Sequence, residues 1–268
     1  MTETYGRGTP SNLRGWLSEV YFPALVSSQA HPLALRLGDR ATVDDPLFGR
    51  CEGPEIATRL EAMATWMAIR DASYEKFAFV MGSDRDVTEG WLTLTAEGAR
   101  VRIPVAVVAE RRKEREVELR AYYATGKLGA YPDKPASRSL VASGEELLVP
   151  PPVAGHIDAL GRADVDAAVG SFENGGTVRG SDGDTHAKLD GGGPLRAYYE
   201  RLLCPHGAPA GLTLTKNARA DDGSTIALEY SLVRAHGRGM PSQVGLAVYE
   251  RGESGLLRTV RIYDDVAV

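Results

Sequence analysis

The chain has 268 residues, of which 43% are hydrophobic, 25% charged and 7% aromatic, the proportions of a folded globular protein. They exclude a disordered, collagenous or membrane-spanning chain, and no apolar run approaches the ~18 residues of a spanning helix. A formal net charge of −5 argues against a general nucleic-acid binder, and two cysteines, Cys51 and Cys204, supply neither a disulfide framework nor a zinc motif.

The first ten residues lack the basic and apolar regions of a signal peptide and read as a flexible tail, so a reducing cytoplasm is the expected location. After it, Leu13, Trp16, Leu17, Val20, Tyr21 and Ala24 recur at helical spacing behind a candidate cap at Ser11. Residues 31–37 predict a second short helix with Pro32 in its first turn, and residues 41–45 a short strand. Pro54 opens a third helix, with Ile56, Leu60, Met63 and Met67 on one face. Strand-like runs follow at 75–81, 87–96, 101–111 and 117–125. Prolines are dense around Pro132, Pro135 and Pro150 to Pro152, which marks 127–149 as an extended linker.

The second half repeats the order. Helices are expected at 153–160, 164–172 and 194–203, with a strand starting at Thr177 and strands at 212–218, 225–233, 243–251 and 257–264. Three short matches are collinear with it. Val105-Ala106-Val107-Val108-Ala109-Glu110-Arg111 aligns with Gly245-Leu246-Ala247-Val248-Tyr249-Glu250-Arg251 at an offset of 140. Arg120-Ala121-Tyr122 aligns with Arg261-Ile262-Tyr263 at 141, and Ala41-Thr42-Val43 with Gly176-Thr177-Val178 at 135. The chain therefore reads as two copies of one domain, 11–126 and 150–268. Helices first and a meandering sheet afterwards predict an α+β fold, three helices on one face of a curved, mixed but mostly antiparallel sheet, with a pocket between the layers.

This order, with Ala41-Thr42-Val43-Asp44-Asp45-Pro46 and the closing Arg261-Ile262-Tyr263-Asp264-Asp265, resembles the SnoaL-like branch of the NTF2-like (cystatin-like) superfamily. The second copy, with Asp221-Asp222-Gly223 and Ala227-Leu228-Glu229-Tyr230, is similar to tandem members of that branch. The resemblance implies two cone-shaped domains and the chemistry of ketosteroid isomerases, polyketide cyclases or polyether epoxide hydrolases. In the isomerases a tyrosine late in the first helix and an aspartate ending the first strand stand 24 residues apart, as Tyr21 and Asp45 do here. By that resemblance Asp45 moves a proton beside a carbonyl and Tyr21 donates to the developing enolate oxygen. The family's second oxyanion donor falls on Ala106, so that donor is missing.

In the second copy the tyrosine position is His156 and the aspartate position is Gly180, with Asp182 two residues on and expected on the same strand face. His156 and Asp182 are thus a candidate acid/base pair. Trp16, Trp91, Ala106, Tyr122, Glu229 and Tyr263 are candidates for lining substrate pockets. Each has a plainer reading: Tyr21 as a core tyrosine, Asp45 as a turn residue before Pro46, His156 as a helix-packing histidine, Glu229 as a water-facing strand residue. Ser181 to His186 reads as a polar hairpin turn and not a metal loop, and 110–116 as a solvated hairpin. Of the adjacent Tyr198 and Tyr199, at most one is expected to face the pocket.

These residues predict a small-molecule enzyme doing cofactor-free acid/base chemistry, isomerisation or cyclisation, on a hydrophobic polyketide- or steroid-like substrate. A non-catalytic binding or interaction module is the alternative, and epoxide opening a further one. No metal, nucleic acid or membrane partner is expected. The fused halves predict an intramolecular pseudo-dimer, monomeric as a chain.

Overall fold

The computed structural model describes residues 3–6, 15–112, 116–128, 147–189, 193–234 and 243–264. The described residues divide into two units, one ending at Leu128 and one spanning 147–264. Each is α+β, with three helices and a mixed, mostly antiparallel sheet. That is the architecture expected of the two sequence halves.

The first unit has helices α1 (Leu17–Val26), α2 (Ala30–Leu37) and α3 (Glu55–Ile69). Its strands are β1 (Glu3–Gly6), β2 (Thr42–Asp45), β3 (Gly49–Glu52), β4 (Ser73–Met81), β5 (Arg85–Ala96), β6 (Ala99–Arg111) and β7 (Val117–Tyr122). The sheet order is β1-β4-β5-β6-β7-β2-β3, with β2 and β7 parallel and every other pair antiparallel. Two elements differ from expectation. Residues 3–6, expected in a tail, pair with β4, and β3 folds back on β2.

Helix α1 starts at Leu17, later than the spacing suggested. Trp16 is extended, and the Glu19 carboxylate reaches back to accept its backbone N–H at 3.0 Å, closing the first turn. The expected cap Ser11 and first apolar residue Leu13 lie outside the described residues.

Tyr21, Phe22, Leu25, Leu33, Leu60 and Met63 fill the layer between helices and sheet. Strand alternation turns Ile103, Val105, Val107 and Ala109 of β6 toward that layer, and Leu119 and Ala121 of β7 with them. The intervening residues of the same strands therefore face the other way.

The second unit contains α4 (Pro151–Gly161), α5 (Val165–Gly170), β8 (Phe172–Arg179), β9 (His186–Lys188) and α6 (Gly193–Leu203). After a 3₁₀ turn at Pro205–Gly207 come β10 (Leu212–Asp221), β11 (Thr225–Arg234), β12 (Gln243–Arg251) and β13 (Leu257–Asp264). The sheet order is β10-β11-β12-β13-β8-β9, and β8 runs parallel to β13. The helix expected over 164–172 is shorter. Asp164 caps α5 by accepting the Ala167 N–H at 2.9 Å, and the chain turns into β8 at Phe172, five residues before the expected strand start.

The two sheets share a register. Glu89, Ala106 and Tyr122 stand opposite one another across β5, β6 and β7; Glu229, Leu246 and Tyr263 do so across β11, β12 and β13. These rows are 140, 140 and 141 residues apart, the offsets of the sequence repeat.

Candidate functional site

The first unit gathers a tyrosine–carboxylate node at the C-terminal end of β2. Asp45 is the last residue of that strand and, like Val43, points to the helices. Tyr21, in the middle of α1, donates its hydroxyl to Asp45 Oδ2 at 2.8 Å. Tyr123, one residue past β7, donates to Asp45 Oδ1 at 2.5 Å, and the Leu47 N–H reaches the same oxygen at 2.9 Å. All three side chains are fully buried. Tyr21 and Asp45 are thus in direct contact, and the same carboxylate also bonds the backbone of the turn that follows it. The carboxylate thus receives hydrogen bonds from two side chains and the backbone.

Tyr123 was not among the residues read as functional. Its signal was the alternation of β7: Leu119 and Ala121 face the helices, so Tyr123 follows them and Tyr122 does not. Ala106 and Tyr122 consequently lie on the sheet face away from Asp45, in the row with the fully buried Glu89. Trp91, also on that face, lies 4.4 Å beneath the Arg102 guanidinium and against Phe77. Trp16 is 39% exposed at the start of α1, with the Arg111 guanidinium 4.4 Å over its ring. None of these four shares the Tyr21–Asp45 node.

That outer face of β6 and β7 carries an ion network. Arg120, almost wholly buried, pairs with Glu110 at 2.8 Å and Glu118 at 3.3 Å, and Arg50 meets Glu118 at 2.8 Å. Burial opposes ionisation of both glutamates, but the arginines, Arg120 foremost, outweigh it and hold their carboxyls below the usual value. The segment read as a solvated hairpin is therefore partly structural.

In the second unit the expected acid/base pair is not assembled. Asp182 sits in a turn after β8, where its carboxylate accepts the Asp184 and Thr185 N–H groups and the Thr185 hydroxyl. A turn, not a continuing strand, occupies 181–184, so the shared face expected of 180 and 182 does not exist. His156 is buried in α4. Ser171 Oγ donates to the Ala168 carbonyl at 2.6 Å, so it accepts from His156 Nδ1–H at 2.9 Å; Nε2 is left to accept from Tyr199 at 3.3 Å. Burial pushes the His156 pKa down to about 4, and the neutral ring is a fixed relay within the core.

A different tyrosine–carboxylate pair stands in this unit. Tyr230 of β11 donates to Asp264 of β13 at 3.0 Å, crossing over Gly245 of the strand between them. A Cβ at Gly245 would come within 2.5 Å of Tyr230 Cζ, so only glycine leaves the path open. Asp264 stands 141 residues after Tyr123, the repeat offset, so the carboxylate occupies the row that holds a tyrosine in the first unit. Tyr199 is buried, and Tyr198 packs edge-on against it with centroids 5.1 Å apart, so both adjacent tyrosines meet the core. Glu229 is buried on the opposite face, and Tyr263 there accepts a hydrogen bond from Arg179.

Among the described residues no group of histidine, cysteine or acidic side chains is placed to hold a metal ion, and no helix is long and apolar enough to cross a membrane. Cys51 and Cys204 are free thiols, and burial, its main cause, pushes the Cys51 thiol up to about 12.

No family model and no curated protein matches this chain. Among solved structures it is similar to an LEH-like epoxide hydrolase of M. tuberculosis, at 17% identity over 42% of this chain and 80% of that one, with a TM-score of 0.35. It is similar to SalBIII, an epoxide hydrolase/cyclase-like enzyme of pyran ring formation in salinomycin, at 18% identity over 42% and 87%, with a TM-score of 0.33. An NTF2-like protein of unknown function from Cytophaga hutchinsonii is similar at 16% identity over 42% and 87%, with a TM-score of 0.32.

Proposed function

We propose that the first unit is a small-molecule enzyme that moves a proton without a cofactor, by isomerisation or cyclisation of a hydrophobic, polyketide- or steroid-like carbonyl compound. The observation that carries this reading is one buried carboxylate holding two tyrosine hydroxyls, 2.8 and 2.5 Å from Asp45. A carbonyl oxygen entering the node takes over the hydroxyls of Tyr21 and Tyr123. That exchange removes two of the donors that quench Asp45, which becomes more basic as the substrate becomes more acidic. Asp45 then takes the proton from the carbon beside the carbonyl, the tyrosines hold the enolate oxygen, and the proton returns to another carbon. The second unit has glycine, Gly180, at the aspartate position and does not share this step.

A second reading, ligand binding without turnover, is favoured by the three donors that occupy Asp45 in this state. Two measurements on wild type and Asp45→Asn separate them. Flat phenols, which imitate an enolate, are titrated by thermal shift, and deuterium exchange at the α-carbon of a β,γ-unsaturated cyclic ketone is followed by NMR. The enzyme reading expects phenol stabilisation and exchange that falls ~10²-fold or more in Asp45→Asn. Phenol binding with no exchange above buffer in wild type sinks it in favour of binding alone.

A further inference from the structure

The Asp45 node is closed. Asp45, Tyr21, Tyr123 and Leu47 are each fully buried, so a carbonyl compound reaches the carboxylate only if part of the wall moves. We propose that the β2–β3 turn and strand β3 form a hinged gate, latched by the Arg50–Glu118 ion pair, that swings out to admit substrate to Asp45. This inference rests on the enzyme reading given above.

The weakest wall comes first. The hydrogen bonds described for Asp45 come from α1, from the residue after β7 and from the turn at 46–48. Helix α1 is buried along nearly its whole length, and β7 pairs with β6 on one side and β2 on the other. Strand β3 has four residues, lies at the edge of the sheet and, among the described residues, pairs with β2 alone. Local opening is easiest where the fewest ties must break.

This wall can also bend and be held shut. Gly49 and Gly53 bound β3 with φ of +77° and +57°, and hinges are residues that absorb a change of backbone angle, which glycine does at least steric cost. The inward side chains of the segment, Leu47, Phe48 and Cys51, are buried in the core, and the apolar surface they cover keeps the gate closed at rest. The outward Arg50, with its side chain 40% exposed, reaches past β2 to Glu118 of β7 at 2.8 Å. Arg112 and Arg120 also pair with Glu118, so removing Arg50 weakens the latch without stranding a buried charge. Opening carries the Leu47 N–H off Asp45 Oδ1, so the oxygen loses that donor as substrate arrives.

Cys51 supplies the probe, because its buried thiol is reached in the folded chain only when β3 swings out. The full chain carrying Cys204→Ser is labelled with a thiol reagent in the native state, with and without Arg50→Gln. Association of naphthol, a flat phenol, is followed by stopped flow on the same proteins. The expected result is Cys51 labelling at a rate independent of urea below the unfolding transition, the mark of a local opening. Arg50→Gln is expected to raise the labelling and association rates by one shared factor, about twofold to fivefold for a partly exposed ion pair. High salt does the same only in the protein that keeps Arg50. Labelling that occurs through global unfolding alone overturns the gate, as does a labelling rate that Arg50→Gln leaves unchanged. Faster labelling with unchanged naphthol association also overturns it, because the ligand then enters elsewhere. Naphthol binding without local opening overturns the gate and keeps the Asp45 reading, whereas local opening with no naphthol binding overturns both.

Discussion

Tyr21 and Asp45, 24 residues apart in sequence, meet in the core of the first unit with the tyrosine hydroxyl 2.8 Å from the carboxylate and neither side chain exposed. A buried carboxylate is tolerated only while its oxygens are served, and Tyr123 and the Leu47 N–H serve them as well. Tyr21→Phe and Tyr123→Phe each delete one donor and leave ring volume unchanged. Each is expected to cost about 1–3 kcal/mol of unfolding free energy in urea. The double variant is expected to lose more than the sum, because the second deletion leaves Asp45 with the backbone donor alone among those three. Strict additivity would mean that the two hydroxyls serve Asp45 independently.

Much of this was legible in the sequence, and what was not has physical reasons. The helical periodicity around Tyr21 and the alternation of β5 to β7 fix which faces meet, and the repeat offsets reappear in the cross-strand rows of Glu89 and Glu229. The family resemblance implied, from their 24-residue separation, that Tyr21 and Asp45 share one site, and the direct hydrogen bond between them was not part of that reading. Tyr123 was missed because its partner comes from a parallel strand 78 residues away, and no local pattern announces such a neighbour. Asp182 was misplaced because strand alternation was extended through residues that turn, where its own side chain binds the backbone. Ala106, Tyr122 and Tyr263 were read as pocket-lining residues, whereas alternation counted from Val105, Ala121 and Ile262 sends them to the other face.

His156 makes stability depend on pH. Its pKa falls from 6.5 to about 4 on folding because burial disfavours the charged ring. The unfolded chain therefore binds a proton that the folded chain refuses between these values. The contribution is fully present above pH 6.5, declines as pH falls, and is exhausted below about 4. Between pH 7 and 5 the loss is expected to be about 2 kcal/mol from this residue. Urea unfolding at the two pH values, on wild type and His156→Gln, measures it. An equal acid loss in both proteins would place the proton elsewhere.

Gly245 and Gly90 make a matched pair of tests. Each lies under a tyrosine ring from the preceding strand, Tyr230 over Gly245 and Tyr74 over Gly90, and a Cβ at either would overlap that ring. Gly245→Ala is expected to push Tyr230 off Asp264 and to destabilise the second unit by about 1–3 kcal/mol. Gly90→Ala should cost a similar amount in the first unit, where Tyr74 stacks on Phe22 with centroids 5.4 Å apart. Near-ultraviolet circular dichroism reports the displaced rings. An unchanged spectrum and melting temperature for Gly245→Ala would show that the Tyr230–Asp264 bond is not held by that passage.

Asp86 ties the first helix to the sheet. It lies near the start of β5, yet its carboxylate accepts the Ser18 N–H at 3.2 Å and the Ser18 hydroxyl at 2.5 Å, serving orphan donors in the first turn of α1. Ser18 also exchanges a hydrogen bond with Thr88 at 2.7 Å, so the contact is a buried cluster of three side chains. Asp86→Ala removes the acceptor of the Ser18 N–H and leaves Ser18 with Thr88 alone in the cluster, an expected loss of about 1–3 kcal/mol. Asp86→Asn keeps one oxygen for Ser18 but offers an amide to Arg111, and should cost less. Because Arg111 is substantially exposed, most of the loss belongs to the helix contact and should persist at high salt. Hydrogen exchange at the first turn of α1 distinguishes the two origins. Accelerated exchange there in Asp86→Ala, insensitive to salt, is the expected outcome, and a loss that vanishes in 1 M salt (Debye length about 3 Å) would assign the energy to the Arg111 pair instead.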